Sequence, residues 1–167
     1  MKYIFNLDYS KCVACGACAV ACMDQNDISL KDGDKPFRTV AAVERPGDPK
    51  KEIRYLSVGC MHCAAAPCVA ACPVGCLKKN EMGLTEYDNS ACIGCHSCAM
   101  ACPFGAPTFG ASGKMTKCDG CQTRLENGML PACVRVCPTG ALTCMPEEEY
   151  LKQRKERTMQ AIVDKME

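Results

Sequence analysis

Apolar residues come in short alternating runs along this chain, and almost every run is cut off by a cysteine, a proline or a glycine. Residues 2–7 read as a strand, as do residues 37–44 and 53–58, with Pro46-Gly47-Asp48-Pro49 as the turn between the last two. Residues 24–36, rich in Asp, Asn, Lys and Gly, read as a surface loop. Residues 76–91 predict a hairpin turning near Met82-Gly83, and residues 106–117 a further short connection. Only the tail changes period. Glu147, Glu148 and Glu149 follow Pro146, and acidic side chains favour a helix N-terminus. Leu151, Met159, Ile162, Val163 and Met166 then recur on roughly one face. This predicts a helical tail over 146–167 that packs on its own body, with docking on a partner as the second reading.

Composition explains why the apolar runs are so short. The 167 residues include 18 cysteines but no tryptophan, only 4 phenylalanines and only 5 tyrosines. Much of the 48% apolar fraction is Ala, Cys and Met, which build a thin core. A chain of this length folded as one body has a radius of gyration of about 15 Å, so inorganic groups inside it would be neighbours.

Disulfides belong to oxidising compartments and usually follow a signal peptide. The opening Met1-Lys2-Tyr3-Ile4-Phe5-Asn6-Leu7-Asp8 turns polar too soon for one, and no stretch reaches the ~18 apolar residues of a membrane span. A reducing, cytoplasmic setting with metal-bound thiolates is the expectation. Export alongside a folded partner bearing its own signal would leave no mark here.

The cysteines fall into four runs. The first is Cys12, Cys15, Cys18 and Cys22; the third, with the same spacing, is Cys92, Cys95, Cys98 and Cys102. The second, Cys60, Cys63, Cys68 and Cys72, is stretched once; the fourth, Cys118, Cys121, Cys133 and Cys137, more so. In C-x2-C-x2-C-x3-C-P, three close thiolates hold one corner of a cubane while the fourth completes a neighbouring cluster. Sixteen such ligands fit four [4Fe–4S] clusters with none short. Zinc ribbons use two separated C-x2-C knuckles and leave the third cysteine and the prolines unexplained. Pro73, Pro103 and Pro138 follow the last cysteine of runs two to four and turn the chain into Gly75, Gly105 and Gly140, whereas run one has Met23 instead.

Cluster charge also corrects the electrostatics. Sixteen thiolates each remove a charge and four oxidised cores each return two, so the formal +1 becomes about −7. That gives no support to a basic nucleic-acid binder, and the basic run from Lys152 to Arg157 is in any case broken by Glu156. Cys76 stands where the matching turns place Ala106 and Ala141, which predicts a small packing residue; Cys144 reads the same way. His62 and His96 lie inside ligand runs, where packing, surface placement or an effect on potential is expected ahead of ligation or proton relay. Lys11, Lys117 and Arg124 either favour reduced clusters or are solvated; sequence does not separate the two.

Three segments resemble the four-cluster, ferredoxin-type subunits of molybdenum or tungsten pterin oxidoreductases, the family of the dimethyl-sulfoxide-reductase iron–sulfur subunit. They are the segments 60–68 and 92–107, and Lys117-Cys118-Asp119-Gly120-Cys121 running through Arg124, Gly128 and Pro131 to Leu142. The resemblance covers residues 1 to about 145 and implies an α+β class with a duplicated bacterial-ferredoxin-like fold. Short antiparallel hairpins and short helices would surround four cubanes. Residues 1–145 would be one domain (outer half 1–36 with 108–145, inner half 59–107), followed by the tail. The family's pattern assigns Cys12, Cys15, Cys18 and Cys137 to one cluster, and Cys22, Cys118, Cys121 and Cys133 to its companion. It assigns Cys60, Cys63, Cys68 and Cys102 to a third, and Cys72, Cys92, Cys95 and Cys98 to a fourth. Spacing alone leaves a pairing of adjacent runs equally open. Some nitrate-reductase relatives lack a ligand in the third run and carry a [3Fe–4S] cluster there; this chain keeps Cys92, Cys95 and Cys98.

The implied role is relay of single electrons between a large Mo/W-pterin catalytic subunit, of the dimethyl-sulfoxide-reductase or aldehyde-oxidoreductase type, and a further redox partner. No catalytic site of its own, nucleic acid or direct membrane span is expected. Service to a hydrogenase complex, or life as a free polyferredoxin, is the alternative. A structural or assembly role with idle clusters is a third reading.

Overall fold

A computed structural model describes residues 1–44, 47 and 52–166. Its regular elements are short because the ligand runs interrupt them. In chain order they begin with β1 (Tyr3–Leu7), α1 (Ala17–Gln25), β2 (Arg38–Glu44), β3 (Ile53–Gly59) and α2 (Pro67–Ala70). There follow β4 (Leu77–Lys79), β5 (Thr85–Tyr87), α3 (Ser97–Ala101), β6 (Thr108–Phe109) and β7 (Met115–Thr116). The chain closes with α4 (Gln122–Glu126), α5 (Ala132–Arg135), β8 (Leu142–Pro146) and α6 (Glu147–Val163). The strands form antiparallel pairs β1–β8, β2–β3, β4–β5 and β6–β7. With its small sheets and short helices, this is an α+β arrangement.

Each cysteine run puts its third ligand on a short helix, and the residue after the fourth decides how long that helix grows. Proline follows Cys72, Cys102 and Cys137, and α2, α3 and α5 stop after 4, 5 and 4 residues. Met23 follows Cys22, so α1 continues for 9 residues. The departure in run one is thus a longer helix with the same cysteine spacing. Pro67 opens α2 with a backbone already set for a helix.

The predicted hairpin over 76–91 is β4–β5, and Asn80 organises its turn. Its Oδ1 accepts the N–H of Met82 (3.1 Å) and of Leu84 (2.9 Å), while Gly83 takes the left-handed conformation. The connection over 106–117 folds into a second hairpin, β6–β7, which the sequence pattern did not specify. The predicted strands at 37–44 and 53–58 pair in register from Arg38↔Gly59 to Glu44↔Ile53; their turn at 46–49 lies outside the described residues except for Gly47.

The pairing β1–β8, with Phe5 opposite Cys144, joins the two ends of the ligand region. It is extended by Asp8 N–H to Ala141 O (2.8 Å) and Glu147 N–H to Lys2 O (2.9 Å), while Tyr3 N–H reaches Met82 O (3.0 Å). The buried apolar residues form three small groups, around Leu77 and Met115, around Phe5, Leu84, Leu125 and Cys144, and around Leu142. Cysteine sulfurs supply much of each.

Helix α6 departs from expectation. Its start is tied to Lys2, and Glu147, Glu148 and Glu149 occupy its first turn. Yet Leu151, Met159, Ile162 and Val163 are each more than half exposed, as is Met166 just beyond it, so the apolar side does not pack on the body. Among the described residues, no helix is long and apolar enough to cross a membrane.

Candidate metal centres

Between their cysteines the runs pass through left-handed backbone at Ala14 and Gly16, at His62, at Gly94 and His96, and at Gly120 and Cys121. Successive N–H groups in such turns face a common concavity that favours negative charge. Backbone N–H groups accordingly reach ligand sulfurs: Gly120 to Cys118 Sγ (3.3 Å), Met115 to Cys92 Sγ (3.3 Å) and Ala106 to Cys102 Sγ (3.4 Å). Hydroxyls add to this, with Ser57 Oγ 3.3 Å from Cys18 Sγ and Ser97 Oγ 3.5 Å from Cys95 Sγ. The Ser97 hydroxyl and N–H hold Cys95 below the usual thiol range.

Two cavities are each walled by one quartet of cysteines. Cys12, Cys15, Cys18 and Cys137 line the first, with Leu7, Val40 and Leu142 among its apolar lining. Cys60, Cys63, Cys68 and Cys102 line the second, together with Lys117. Each cavity takes three sulfurs from one run and one from another.

Among the other eight ligand candidates, several act on one another electrostatically. Burial pushes the Cys22 thiol up to about 12, and Cys133 and Cys121 add to the effect. Burial raises Cys118 well above its usual range, with Cys60 and Cys22 contributing. Burial raises Cys98 too, and Cys72 and Cys92 add to it, while Cys95 also feels Cys72. Thiols crowded in this way keep their protons until a cationic core displaces them, so metal binding and deprotonation are coupled here. Among the described residues, no three His, Cys, Asp or Glu side chains converge on one point as a single ion requires. Sulfurs standing around a cavity fit a polynuclear core.

Helix geometry explains why neighbouring groups share elements. Cys18 and Cys22 are one turn apart on α1, and Cys133 and Cys137 are one turn apart at α5. Cys68 and Cys72 stand in the same relation at α2, and Cys98 and Cys102 at α3. In each case one cysteine faces one group of sulfurs and the next faces another.

The residues outside the sixteen separate clearly. Cys76 is buried with its sulfur 3.4 Å from Cys72 Sγ, and packs beside Leu77 and Met115. Cys144 is buried beside Phe5, and burial pushes its thiol up to about 12. His96 is exposed and stacks on Phe109 at 3.8 Å, whereas His62 is buried and stacks on Phe5 at 5.1 Å. Burial, reinforced by Lys117, Lys79 and Arg38, lowers His62 to about 3. Lys11 is exposed beside Asp8, and Arg124 binds Leu130 O (2.8 Å) and Gln25 Oε1 (3.1 Å). Lys117 is only 1% exposed. Sequence reasoning missed two further cations. Arg38 is buried and donates to Ser57 O and Oγ (3.2 Å each), and Lys79 caps the carbonyls of His62 (2.9 Å) and Cys63 (3.0 Å). Both sit on strands, where an Arg or Lys reads as solvent-facing until the partner strand is known.

Comparison with known proteins agrees with this chemistry. A family model described as a 4Fe-4S dicluster domain matches residues 51–146, and another of the same description matches residues 11–76. The "Probable anaerobic dimethyl sulfoxide reductase chain YnfG" of Escherichia coli (strain K12) is 38% identical over 172 residues, spanning 96% of this chain and 80% of the relative. The "Thiosulfate reductase electron transfer subunit PhsB" of Salmonella typhi is 39% identical over 144 residues, spanning 84% of this chain and 74% of the relative. The "Hydrogenase-2 operon protein HybA" of Escherichia coli O157:H7 is more distant, at 33% over 175 residues, and the chain spans 53% of it. The chain therefore belongs to the 4Fe-4S dicluster family of the dimethyl sulfoxide reductase iron–sulfur chains, and it holds four [4Fe–4S] clusters.

Proposed function

We propose that this chain is the electron-transfer subunit of a multi-subunit oxidoreductase, carrying single electrons between a molybdenum- or tungsten-pterin catalytic subunit and a further redox partner. One observation carries the proposal: cysteines distant in sequence line common cavities, above all Cys12, Cys15 and Cys18 with Cys137. The two cavities support two of the ligand sets, and the family's pattern completes the other two. Cluster I takes Cys12, Cys15, Cys18 and Cys137; cluster II takes Cys22, Cys118, Cys121 and Cys133. Cluster III takes Cys60, Cys63, Cys68 and Cys102; cluster IV takes Cys72, Cys92, Cys95 and Cys98. Bound clusters supply one-electron redox chemistry, and the chain supplies spacing, burial and hydrogen bonds.

The shared helices give the clusters an order. I and II both draw on α1 and α5, III and IV both draw on α2 and α3, and Cys118 of II feels Cys60 of III. The order is I–II–III–IV, with the two ferredoxin-like halves meeting between II and III. Partners would dock near the outer clusters. The reductase relatives favour a pterin-enzyme partner, and the lower identity to HybA keeps a hydrogenase complex as the second reading.

The test is anaerobic purification at native expression level, with elemental analysis and mass spectrometry on the same sample. About sixteen iron atoms per chain and a stoichiometric large partner containing Mo or W are expected. About four iron atoms would sink the four-cluster relay, and nickel in the partner would move the chain to the hydrogenase reading.

A further inference from the structure

Lys117 is a buried lysine with no carboxylate within ion-pair distance: among the described residues, the ion pairs are Lys11–Asp8 and Arg54–Glu52. It donates to Thr85 O and to Cys118 O (2.7 Å), and lies 5.6 Å from the centroid of the Tyr87 ring. Carbonyls and an aromatic face solvate the ammonium but do not neutralise it, and a buried charge without a counter-charge is strongly disfavoured. In the cavity it lines, the side chains that can carry negative charge are the cysteines. Lys117 lines the cavity of Cys60, Cys63, Cys68 and Cys102, and its hydrogen bond to the Cys118 carbonyl holds it beside the first ligand of the neighbouring set.

His62 meets one of the neighbouring sulfurs, that of Cys118. Thr85 N–H donates to its Nδ1 at 3.0 Å, so Nδ1 is the unprotonated nitrogen and the hydrogen sits on Nε2. Nε2 lies 3.6 Å from Cys118 Sγ, which makes His62 an N–H donor to that sulfur. Phe5 stacks on the ring and Thr85 holds its Nδ1, while Lys79 holds the backbone carbonyl of His62, so both the imidazole and its backbone are fixed. Thr85, 1% exposed, ties the assembly together, giving its N–H to His62 and its carbonyl to Lys117.

We propose that Lys117 and His62 form a redox-tuning seam between clusters II and III, raising the potential at which each takes up an electron. Reduction adds one negative charge to a cluster. A fixed ammonium beside both clusters stabilises that added charge at either one, and the Nε2–H of His62 stabilises it at cluster II through Cys118 Sγ. The seam rests on the ligand assignment above. Lys117 and His62 act through the ligand environment as positioning and tuning residues.

The test is a redox titration of the holoprotein, following each cluster by electron paramagnetic resonance in wild type, K117M and H62L. In K117M two of the four midpoints should fall, each by at least a tenfold change in its reduction equilibrium (~59 mV for one electron), while the other two stay in place. In H62L one of those same two should fall alone. Four intact signals with unmoved midpoints in K117M would overturn the seam and leave the ligand assignment standing. A wild-type protein without four cluster signals would overturn the assignment and the seam together. If K117M loses clusters, pulsed resonance on ¹⁵N-histidine-labelled H96N protein decides, since His62 is then its one histidine. A nitrogen coupled to a single reduced cluster supports the seam, and no coupling refutes it.

Discussion

Gly120 lies between Cys118 and Cys121 with φ +80°, and a Cβ built there meets Leu84 Cδ2 at 2.9 Å, Leu84 Cδ1 at 3.1 Å and His62 Cε1 at 3.3 Å. Leu84 is fully buried and His62 is 6% exposed, so neither side chain can swing into solvent to make room. Gly120→Ala therefore incurs two penalties. The left-handed backbone costs about 1–2 kcal/mol for a residue with a Cβ, and overpacking a closed site adds roughly 1–3 kcal/mol. Gly140 isolates the first of these, because it has φ +64° and a Cβ there meets nothing within 4 Å. Gly140→Ala should lose only the backbone part, so the difference between the variants measures the packing of Leu84 and His62. For a chain of this size, 1 kcal/mol moves the melting midpoint by about 2–4 °C. Gly120→Ala should then melt about 4–8 °C below Gly140→Ala if the overpacking lies near 2 kcal/mol. The assay is anaerobic thermal unfolding of both holoproteins at one scan rate, followed by far-ultraviolet circular dichroism and visible cluster absorbance. Equal midpoints would refute the reasoning, since they would mean that the site relaxes freely around an added methyl group.

Three other outcomes follow from the site. Cys137→Ser should leave a chain with about four fewer iron atoms and lose the signal of one cluster, whereas Cys76→Ala should keep the full iron content; equal iron in the two variants would contradict the ligand sets. Arg38→Met removes buried charged hydrogen bonds to Ser57 and should cost about 1.5–3 kcal/mol, read from guanidinium midpoints at constant m-value; no change would show that Arg38 is not held there. Cys144 has its folded pKa raised from 9.0 to about 12, so its stabilising contribution is complete below pH 9 and is lost as pH rises from 9 towards 12. Cys144→Ala should flatten that alkaline loss, and iodoacetamide at pH 8 should leave Cys144 unlabelled in native protein, as mass spectrometry of the digested protein would show; rapid labelling would contradict its burial.

The readable part of this molecule is the part whose physics is local. A thiolate run of fixed spacing, a proline that stops a helix and a glycine that turns the chain act within a few residues, so β1, β2, β3, the hairpin turning at 80–84 and the four runs were visible in the sequence, whereas β6–β7 was not. The missing proline after Cys22 was visible too, but that it lengthens α1 emerged only from the structure. The hidden part depends on partners far away in the chain. Phe5 meets Cys144 only once β1 and β8 pair, and no local pattern encodes that meeting. The apolar positions of α6 are correctly periodic, but periodicity cannot say whether a surface exists to receive them, and the body offers one only at the helix's start.

Lys11 and Lys117 bring this limit to the metal centres themselves. Each directly precedes the first cysteine of a run, and by sequence they are equivalent. One is solvated beside Asp8 and the other is sealed between two groups of sulfurs. What separates them is what lies across the cavity. Lys11 sits at an open end, where water solvates its charge and screens it from the nearest thiolates. Lys117 is roofed by Thr85 from the β4–β5 hairpin and by Tyr87 two residues on, and that hairpin is held to the other half of the chain through Tyr3 and Met82. The same backbone step that presents Thr85 O to Lys117 presents Thr85 N–H to His62, so one hairpin sets both the buried cation and the imidazole tautomer. A one-residue slip in β4–β5 would reverse which side of Thr85 faces the sulfurs and remove both at once. The register of this three-residue strand pair, Leu77↔Tyr87 to Lys79↔Thr85, is therefore a determinant of the electrostatics at the centre of the relay.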